Sequence, residues 1–244
     1  MSAVSVFGLG YVGCVSAACF AREGHTVVGV DVARPKVDLV NAGKSTIVEE
    51  GIAELVAEQV AAGRLRATTD VAAAVAATEI SLVCVGTPSR SNGALDLRYV
   101  ERVCEEIGTA LRDKSGYHVV VIRSTVLPGT VHDVAVPALE RTSGRKAGVD
   151  FGVASNPEFL REGTSIKDFN EPPFTLIGAD EAPTADAIAA LYAGIDAPVH
   201  RVAVRVAEMV KYACNSYHGL KVAFANEIGN VCKALGVDSH EVMR

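Results

Sequence analysis

The sequence predicts an α/β fold: a doubly wound parallel sheet followed by one long helix. Three observations carry this. Short β-branched runs alternate with helical stretches along the first 198 residues. The runs are apolar at nearly every position, which marks strands buried on both faces. From residue 199 to residue 244 there is no proline, and the pattern reads as helical throughout. Strands separated by helices make βαβ units, and right-handed crossovers favour the doubly wound arrangement.

The opening strand is Ala3–Phe7, which runs straight into glycines. A helix follows over residues 12–23, and Thr26–Val30 returns as the second strand. Helices at 35–41 and 52–62 precede a weaker strand near 66–68. A helix at 71–77 leads into a strand at 80–85, and a helix at 97–112 leads into Val119–Ile122. A helix at 129–141 precedes strands at 151–154 and 175–177, and a helix at 182–193 closes the sheet region. Beyond it Val206, Met209, Val210, Tyr217, Leu220, Phe224, Ile228, Val231 and Leu235 share one broad apolar face at helical spacing. The boundary falls near Pro198. It separates a sheet domain (1–198) from the start of a helical, dimerising domain (199–244). Asp238 reads as the N-cap of a further helix, with Glu241 as its capping-box partner. That helix stops within its second turn, so the chain is expected to be cut short.

Composition narrows the function classes. With 244 residues and 49% apolar side chains, the chain can bury a sizeable core. Charged residues at 21% and a mean hydropathy of +0.26 exclude a mainly disordered chain. Net charge is -6 and the 23 Lys and Arg are scattered, so no basic stripe points to nucleic acid. No apolar run reaches the ~18 residues of a membrane span. Alanine-rich stretches with 5% aromatics and no Trp predict small, tightly packed helices. The six cysteines form no C-x-x-C pair, and no His stands at zinc-ligand spacing from two of them. No metal is expected, and the thiols read as buried and free in a reducing compartment. No secretory leader is evident, so the cytoplasm is expected.

Gly8-Leu9-Gly10-Tyr11-Val12-Gly13 follows the first strand and opens the first helix. Gly8 permits the tight turn, Gly10 lets the backbone approach a pyrophosphate, and Gly13 lets helix and strand pack closely. The helix N-terminus then offers free N–H groups and a positive dipole end. Asp31 ends the second strand, where a carboxylate accepts from the ribose hydroxyls and repels a 2′-phosphate. The pattern predicts a Rossmann-like site for NAD rather than NADP. A helix N-cap is the competing role for Asp31. Lys36 is either a cover over the adenosine side or a solvated lysine. Thr87 and Thr125 each leave a strand ahead of a proline, at the carboxyl ends that face the ligand crevice. They are placed to touch cofactor or substrate, and capping the next helix stands as the alternative.

Lys211, Asn215, His218 and Asn226 stand at i, i+4, i+7 and i+15 on the long helix, within about 80° of one another and opposite its apolar face. A solvated face prefers Glu and Lys, whereas Asn, His and Asn beside a lysine suit fixed hydrogen bonds to a ligand. A partly desolvated lysine there can stabilise an oxyanion or shuttle a proton. Glu158 and Glu162 follow the fifth strong strand four residues apart, sharing a face if that segment is helical. Paired in a crevice they become candidate general bases. The alternative is an exposed turn with a salt bridge to Arg161.

Taken together, these motifs resemble the UDP-glucose/GDP-mannose dehydrogenase family. The resemblance rests on the glycine turn, Val85-Gly-Thr-Pro88, Arg123-Ser-Thr-Val-Leu-Pro-Gly-Thr130, Asn156-Pro-Glu-Phe-Leu-Arg-Glu162 and Glu208-Met-Val-Lys-Tyr-Ala-Cys-Asn215, in that order. Gly43-Lys-Ser-Thr-Ile-Val-Glu49, Lys146-Ala-Gly-Val-Asp-Phe-Gly152 and Ala223-Phe-Ala-Asn-Glu-Ile-Gly-Asn230 favour its GDP-mannose branch over UDP-glucose. The resemblance implies an NAD-dependent enzyme that oxidises the C6 alcohol of a nucleotide sugar to the carboxylate in two hydride transfers. GDP-mannose would yield GDP-mannuronate, a precursor of alginate-type polysaccharide. The aldehyde formed by the first transfer would be captured by a cysteine as a thiohemiacetal, the second hydride transfer would leave a thioester, and water would hydrolyse it.

The same resemblance implies that Tyr11, Val12, Asp31, Lys36, Thr87 and Thr125 contact NAD. It implies that Glu162, Lys211, Asn215, His218 and Asn226 contact substrate. Lys211 and Asn215 would stabilise negative charge at the reacting oxygen. Glu158 and Thr125 would position the hydrolytic water. The long helix would be the core of a homodimer or larger homo-oligomer. The family's cysteine sits in a Gly-Gly-Ser-Cys-type loop that none of the six cysteines matches. Cys214 points about 60° away from Lys211 and is expected to pack. The chain is therefore expected to bind NAD without completing the four-electron oxidation. Two other readings stay open. One is a two-electron dehydrogenase of the β-hydroxyacid type, which the Asn156-to-Glu162 motif opposes. The other is a non-catalytic NAD-binding or oligomerising module.

Overall fold

In the computed structural model, which describes residues 1–244, eight strands form one sheet. In chain order they are β1 (Ala3–Phe7), β2 (Thr26–Val30), β3 (Leu65–Thr68), β4 (Ile80–Val83), β5 (Val119–Ile122), β6 (Gly152–Ser155), β7 (Thr175–Ala179) and β8 (Val199–Val202). Their spatial order is β3-β2-β1-β4-β5-β6-β7-β8. The chain works outward from β1 to β3, then crosses back to β4 and continues the other way. That reversal opens a crevice at the carboxyl ends of β1 and β4, where Phe7 stands in register with both Val30 and Val83.

Two features depart from the expected sheet. β7 runs antiparallel to β6, through Ala154 opposite Ala179 and Ser155 opposite Gly178. An apolar strand looks the same in either direction, so its orientation is decided by the connection. The residues from 199 onward are not helical throughout either, because Val199–Val202 pairs with β7 as a parallel edge strand. Four mostly exposed residues are too few to separate strand from helix by periodicity. The long helix begins only at Val204.

Helices cover both faces: α1 (Tyr11–Arg22), α2 (Arg34–Asn41), α3 (Ile52–Ala61), α4 (Val71–Ala76), α5 (Arg98–Leu111), α6 (Val136–Ser143), α7 (Ser165–Asn170) and α8 (Ala182–Leu191). The helix expected at 129–141 is split, with a π-helical turn at Val131–Ala135 leading into α6. Pro137 cannot donate the bond that would continue a regular turn from Asp133. The short α7 has too few residues to show a period. On one face α1 is buried at every position from Gly13 to Ala21, and its small side chains lie flat on the sheet. Phe20 extends from it to meet Phe169 and Tyr192 edge-on at 5.0 and 5.3 Å. On the other face Phe7, Val75, Ile107 and Leu139 belong to a second buried cluster.

The long helix α9 (Val204–Leu235) and the short α10 (Ser239–Val242) follow β8. Asp238 caps α10 by accepting from His240 N at 2.8 Å. The first turns of α9 sit on β7, at Gly178. A Cβ there would lie 2.6 Å from Ala207 Cβ and 2.9 Å from Val204 Cα, so the glycine permits the seat. Further along, α9 leaves the sheet. Met209, Tyr217, Leu220, Phe224, Val231 and Leu235 of its apolar face are exposed. Five cysteines are buried, but Cys214 is exposed rather than packed, because it lies where α9 has left the sheet.

A chain of buried polar side chains crosses the sheet interior. Thr78 Oγ1 donates to Ser5 Oγ at 3.0 Å, Ser5 and Ser81 share a 2.8 Å bond, and Ser81 Oγ lies 2.8 Å from His118 Nε2. Burial, with Lys114 nearby, pushes the His118 pKa down to about 3. The folded protein thus keeps this ring neutral while an unfolded chain protonates it below its ordinary value of 6.5. Stability contributed by the neutral ring is complete above pH 6.5 and declines as pH falls towards 3, by up to about 1.4 kcal/mol per pH unit. Denaturant titrations at several pH values should show this slope in the wild type and a shallower one in His118→Asn.

Candidate functional site

The turn between β1 and α1 is built from three glycines with different duties. Gly8 has φ +94°, a conformation that favours glycine, and its N–H bonds to Val30 O at 2.7 Å. A Cβ on Gly13 would lie 1.7 Å from Gly8 O, so the helix can approach the turn only without a side chain there. A Cβ on Gly10 would meet nothing within 4 Å. The protein's own packing does not demand glycine at Gly10, and the open space suits a close-lying ligand. No side chain caps α1. Its first N–H groups and the positive end of its dipole face the crevice, which fits a diphosphate.

Asp31 is buried at the end of β2, 8% exposed. Its Oδ2 accepts from Leu9 N at 2.8 Å and from Lys36 Nζ at 3.2 Å, and its Oδ1 accepts from Ala33 N at 2.9 Å. It therefore braces the glycine turn instead of capping α2, whose N-cap is Ala33. Lys36 is tied to this carboxylate and is not a free solvated lysine. Gly8, Gly10, Asp31 and Lys36 line one cleft of about 760 Å³ with Cys84 and Pro88. Tyr99 and Arg102 of α5 form part of its wall, and no motif in the sequence marks them. Burial pushes the Cys84 thiol up to about 12, so it is no nucleophile at neutral pH.

The other residues expected at the cofactor do not line this cleft. Tyr11 turns its hydroxyl to Arg161 O at 3.2 Å. Val12 packs against the core, and Gly13 is under the turn. Thr87 Oγ1 donates to Thr125 O at 2.8 Å, which ties the loops after β4 and β5 together. Neither threonine caps a helix: α5 starts behind Leu97, and the π-helical turn behind Thr130.

A second centre lies along the same edge of the sheet, past the end of β6. The segment 156–161 is irregular, so Glu158 and Glu162 do not share a helical face. Glu158 turns inward and Glu162 stays exposed. The salt bridge expected for Arg161 is instead made with Asp168 at 2.6 Å. Glu158 Oε1 pairs with Lys211 Nζ at 3.0 Å, with both side chains under a tenth exposed. Its Oε2 accepts from Leu160 N at 2.6 Å, and the ammonium lies 5.3 Å from the centre of the Phe159 ring. Below them Arg123 Nη1 donates to Asn156 Oδ1 at 2.8 Å and to Tyr192 Oη at 2.9 Å, fixing the start of the segment. Glu158, Arg123, Asn156 and Tyr192 line a cavity of about 310 Å³.

Of the polar stripe on α9, only Lys211 is brought into this centre. Asn215, His218 and Asn226 are exposed, the last about 22 Å further along the axis. One turn before Lys211, the buried Glu208 accepts from Gly129 N at 2.6 Å and Val131 N at 2.9 Å. Burial raises its pKa, while those two amides oppose the rise. Glu208 thereby locks α9 onto the loop that carries Thr125. Carboxylates accepting from distant amides leave no signal in local spacing, and Glu208 was legible only as a motif member.

The two glycines should respond differently to alanine. Gly13→Ala should cost about 3 kcal/mol of stability by overpacking, read as a lower denaturant midpoint. Gly10→Ala should change stability by less than about 0.5 kcal/mol and weaken dinucleotide binding.

Comparison with known proteins agrees with this geometry. The UDP-glucose/GDP-mannose dehydrogenase family, NAD binding domain, matches residues 2–196, and the central domain of that family matches residues 205–244. A GDP-mannose 6-dehydrogenase of Azotobacter vinelandii is 60% identical over 240 residues, covering 98% of this chain and 55% of the relative. The crystal structure of a ternary complex of GDP-mannose dehydrogenase from Pseudomonas aeruginosa superposes with a TM-score of 0.96 at 57% identity, over 98% of this chain and 55% of that one. A UDP-glucose dehydrogenase from Pyrobaculum islandicum gives 0.94 at 44% identity, over 99% of this chain and 55% of that one. The chain thus spans about half the length of the curated relatives it matches.

Proposed function

The chain belongs to the UDP-glucose/GDP-mannose dehydrogenase family, and we propose that it serves the NAD-dependent oxidation of the C6 alcohol of GDP-mannose to the carboxylate of GDP-mannuronate. The observation that carries this is the buried Lys211–Glu158 pair on the same carboxyl-terminal sheet edge as the glycine turn. Membership of the family sets aside the β-hydroxyacid reading. GDP-mannose is favoured over UDP-glucose by the higher identity to enzymes named for it, 60% against 44%. A supply of uronate precursor for an alginate-type polysaccharide follows from that substrate.

Bound NAD would take the hydride from the sugar C6. The chain's own residues supply the rest. The uncapped start of α1 receives the diphosphate, with Gly10 leaving room for it. Asp31 meets the ribose hydroxyls and opposes a 2′-phosphate, which selects NAD. Lys36 lies beside Asp31 in the cleft, Tyr11 and Val12 can offer the backbone N–H groups of the first turn of α1, and Thr87 and Thr125, outside that cleft, are assigned to the far end of the dinucleotide. Lys211, oriented by Glu158, stabilises negative charge on the sugar oxygen, with Asn215 as a second donor. Glu162, His218 and Asn226 contact the nucleotide sugar. Glu158 and Thr125 orient the water that hydrolyses the oxidised intermediate to the carboxylate.

Calorimetry should find NAD bound at least about tenfold more tightly than NADP, and Asp31→Ala should weaken NAD by about 1.4 kcal/mol or more. With NAD and GDP-mannose supplied, a protein that also carries the family's cysteine loop should give two NADH per sugar, whereas these 244 residues by themselves should not complete the oxidation. Turnover confined to UDP-glucose, or one NADH per sugar from the protein with that loop, would contradict the reading.

The same proposal includes self-association. No helix is long and apolar enough to cross a membrane, so the exposed face of α9 suits a protein partner, here a second copy. Phe224 and Leu220 are 59% and 66% exposed on it, and burying each is worth about 2 kcal/mol. We place the protein in the cytoplasm, where its free thiols stay reduced. Sedimentation should show a dimer or larger species, and Leu220→Lys with Phe224→Asp should leave a folded monomer.

A further inference from the structure

We infer that Glu49 is a positioning residue for the nucleotide-sugar segment: its carboxylate clamps residues 163 and 165 so that Glu162 stands at a fixed place with its own carboxylate free. This rests on the reading that Glu162 contacts the sugar nucleotide.

Glu162 sits between two anchors. Before it, Arg161 is held by Asp168, whose Oδ2 accepts from Arg161 N at 2.9 Å. Tyr11 donates to Arg161 O at 3.2 Å. After it, Gly163 N donates to Glu49 Oε2 at 2.9 Å. Ser165 donates to Glu49 Oε1 through both its N–H, at 2.9 Å, and its hydroxyl, at 2.8 Å. Gly163 has φ +89°, which favours glycine and lets its N–H turn back to the carboxylate. Glu162 is exposed and takes no hydrogen bond or ion pair from the chain. A carboxylate with no partner of its own, carried on a segment fastened on both sides of it, is held in place for a ligand.

Glu49 reaches this segment from a distant part of the chain. It belongs to the loop between α2 and α3, which is fastened to the glycine turn where Thr46 Oγ1 donates to Leu9 O at 2.8 Å. Burial works against the Glu49 charge, but the Gly163 and Ser165 donors outweigh it and hold its pKa below the ordinary carboxylate value. The clamp therefore stays charged at neutral pH. It thereby links the cofactor turn to the substrate segment, and a misplacement of about 1 Å between reacting groups can cost about a hundredfold in rate.

The test is a double-mutant cycle on the NAD-saturated protein, read by calorimetry with GDP-mannose. Glu49→Ala should weaken GDP-mannose about tenfold and leave NAD affinity unchanged. Glu49→Gln, which keeps one accepting oxygen, should fall between. In a Glu162→Ala background, Glu49→Ala should cost nothing further, because it acts through Glu162. Unchanged GDP-mannose affinity in Glu49→Ala, with a loss in Glu162→Ala, would overturn the clamp alone. Equal losses for NAD and GDP-mannose with a lowered Tm would reduce Glu49 to a structural role and also overturn it. No loss in either single variant would overturn the reading of Glu162 and the clamp with it.

Discussion

The close approach of α1 to the turn after β1 is the constraint on which the site depends. Gly13 leaves no room for even a methyl group above Gly8 O. This brings the uncapped helix end to the point where the strand order reverses. Asp31 then pins the same turn from β2 by accepting from Leu9 N. Helix, turn and neighbouring strand thus form one rigid unit whose partial positive charge faces the crevice. A wider approach would misplace every donor at once, because they all belong to one backbone segment.

The second half of the site is fixed by a different device. Gly178 admits α9 to the sheet, and Glu208 bolts its first turns to the loop after β5. Lys211 follows one turn later and meets Glu158 in a dry position. A buried ion pair of this kind is weak evidence for stability, since desolvation offsets much of its attraction. Its persistence here is better explained by chemistry. On the function proposed above, a lysine held in one orientation would meet developing negative charge without reorganisation. The rest of α9 contributes little to the sheet domain, and many of its apolar side chains stay exposed.

Long-range carboxylates recur as fasteners. Asp31, Glu208 and Glu49 each accept from backbone amides of a segment remote in sequence. Each fastens a loop on the ligand edge of the sheet to another part of the chain. Backbone amides at these irregular turns have no strand or helix partner, and a carboxylate satisfies two at once. The ligand edge is therefore held by charge-assisted bonds, whereas the opposite interior carries the neutral Ser5, Ser81 and His118 chain.

Much of this was legible along the chain because it depends on local spacing. Apolar runs placed most strands of the sheet, glycine positions placed the phosphate turn, and the ordered motifs carried the family resemblance. The orientation of β7, the edge strand β8 and the break before α6 were not legible, because they follow from connections, pairing partners and a missing N–H. The stripe of Lys211, Asn215, His218 and Asn226 was correctly drawn on one helix face, but periodicity cannot say where a helix leaves its support. The sequence by itself determined which residues are adjacent on each element, since covalent geometry and helical pitch settle that locally. Only the tertiary structure decided that Glu158 turns in to Lys211 while Glu162 stays out, because that choice depends on how β6, β7 and α9 pack against one another.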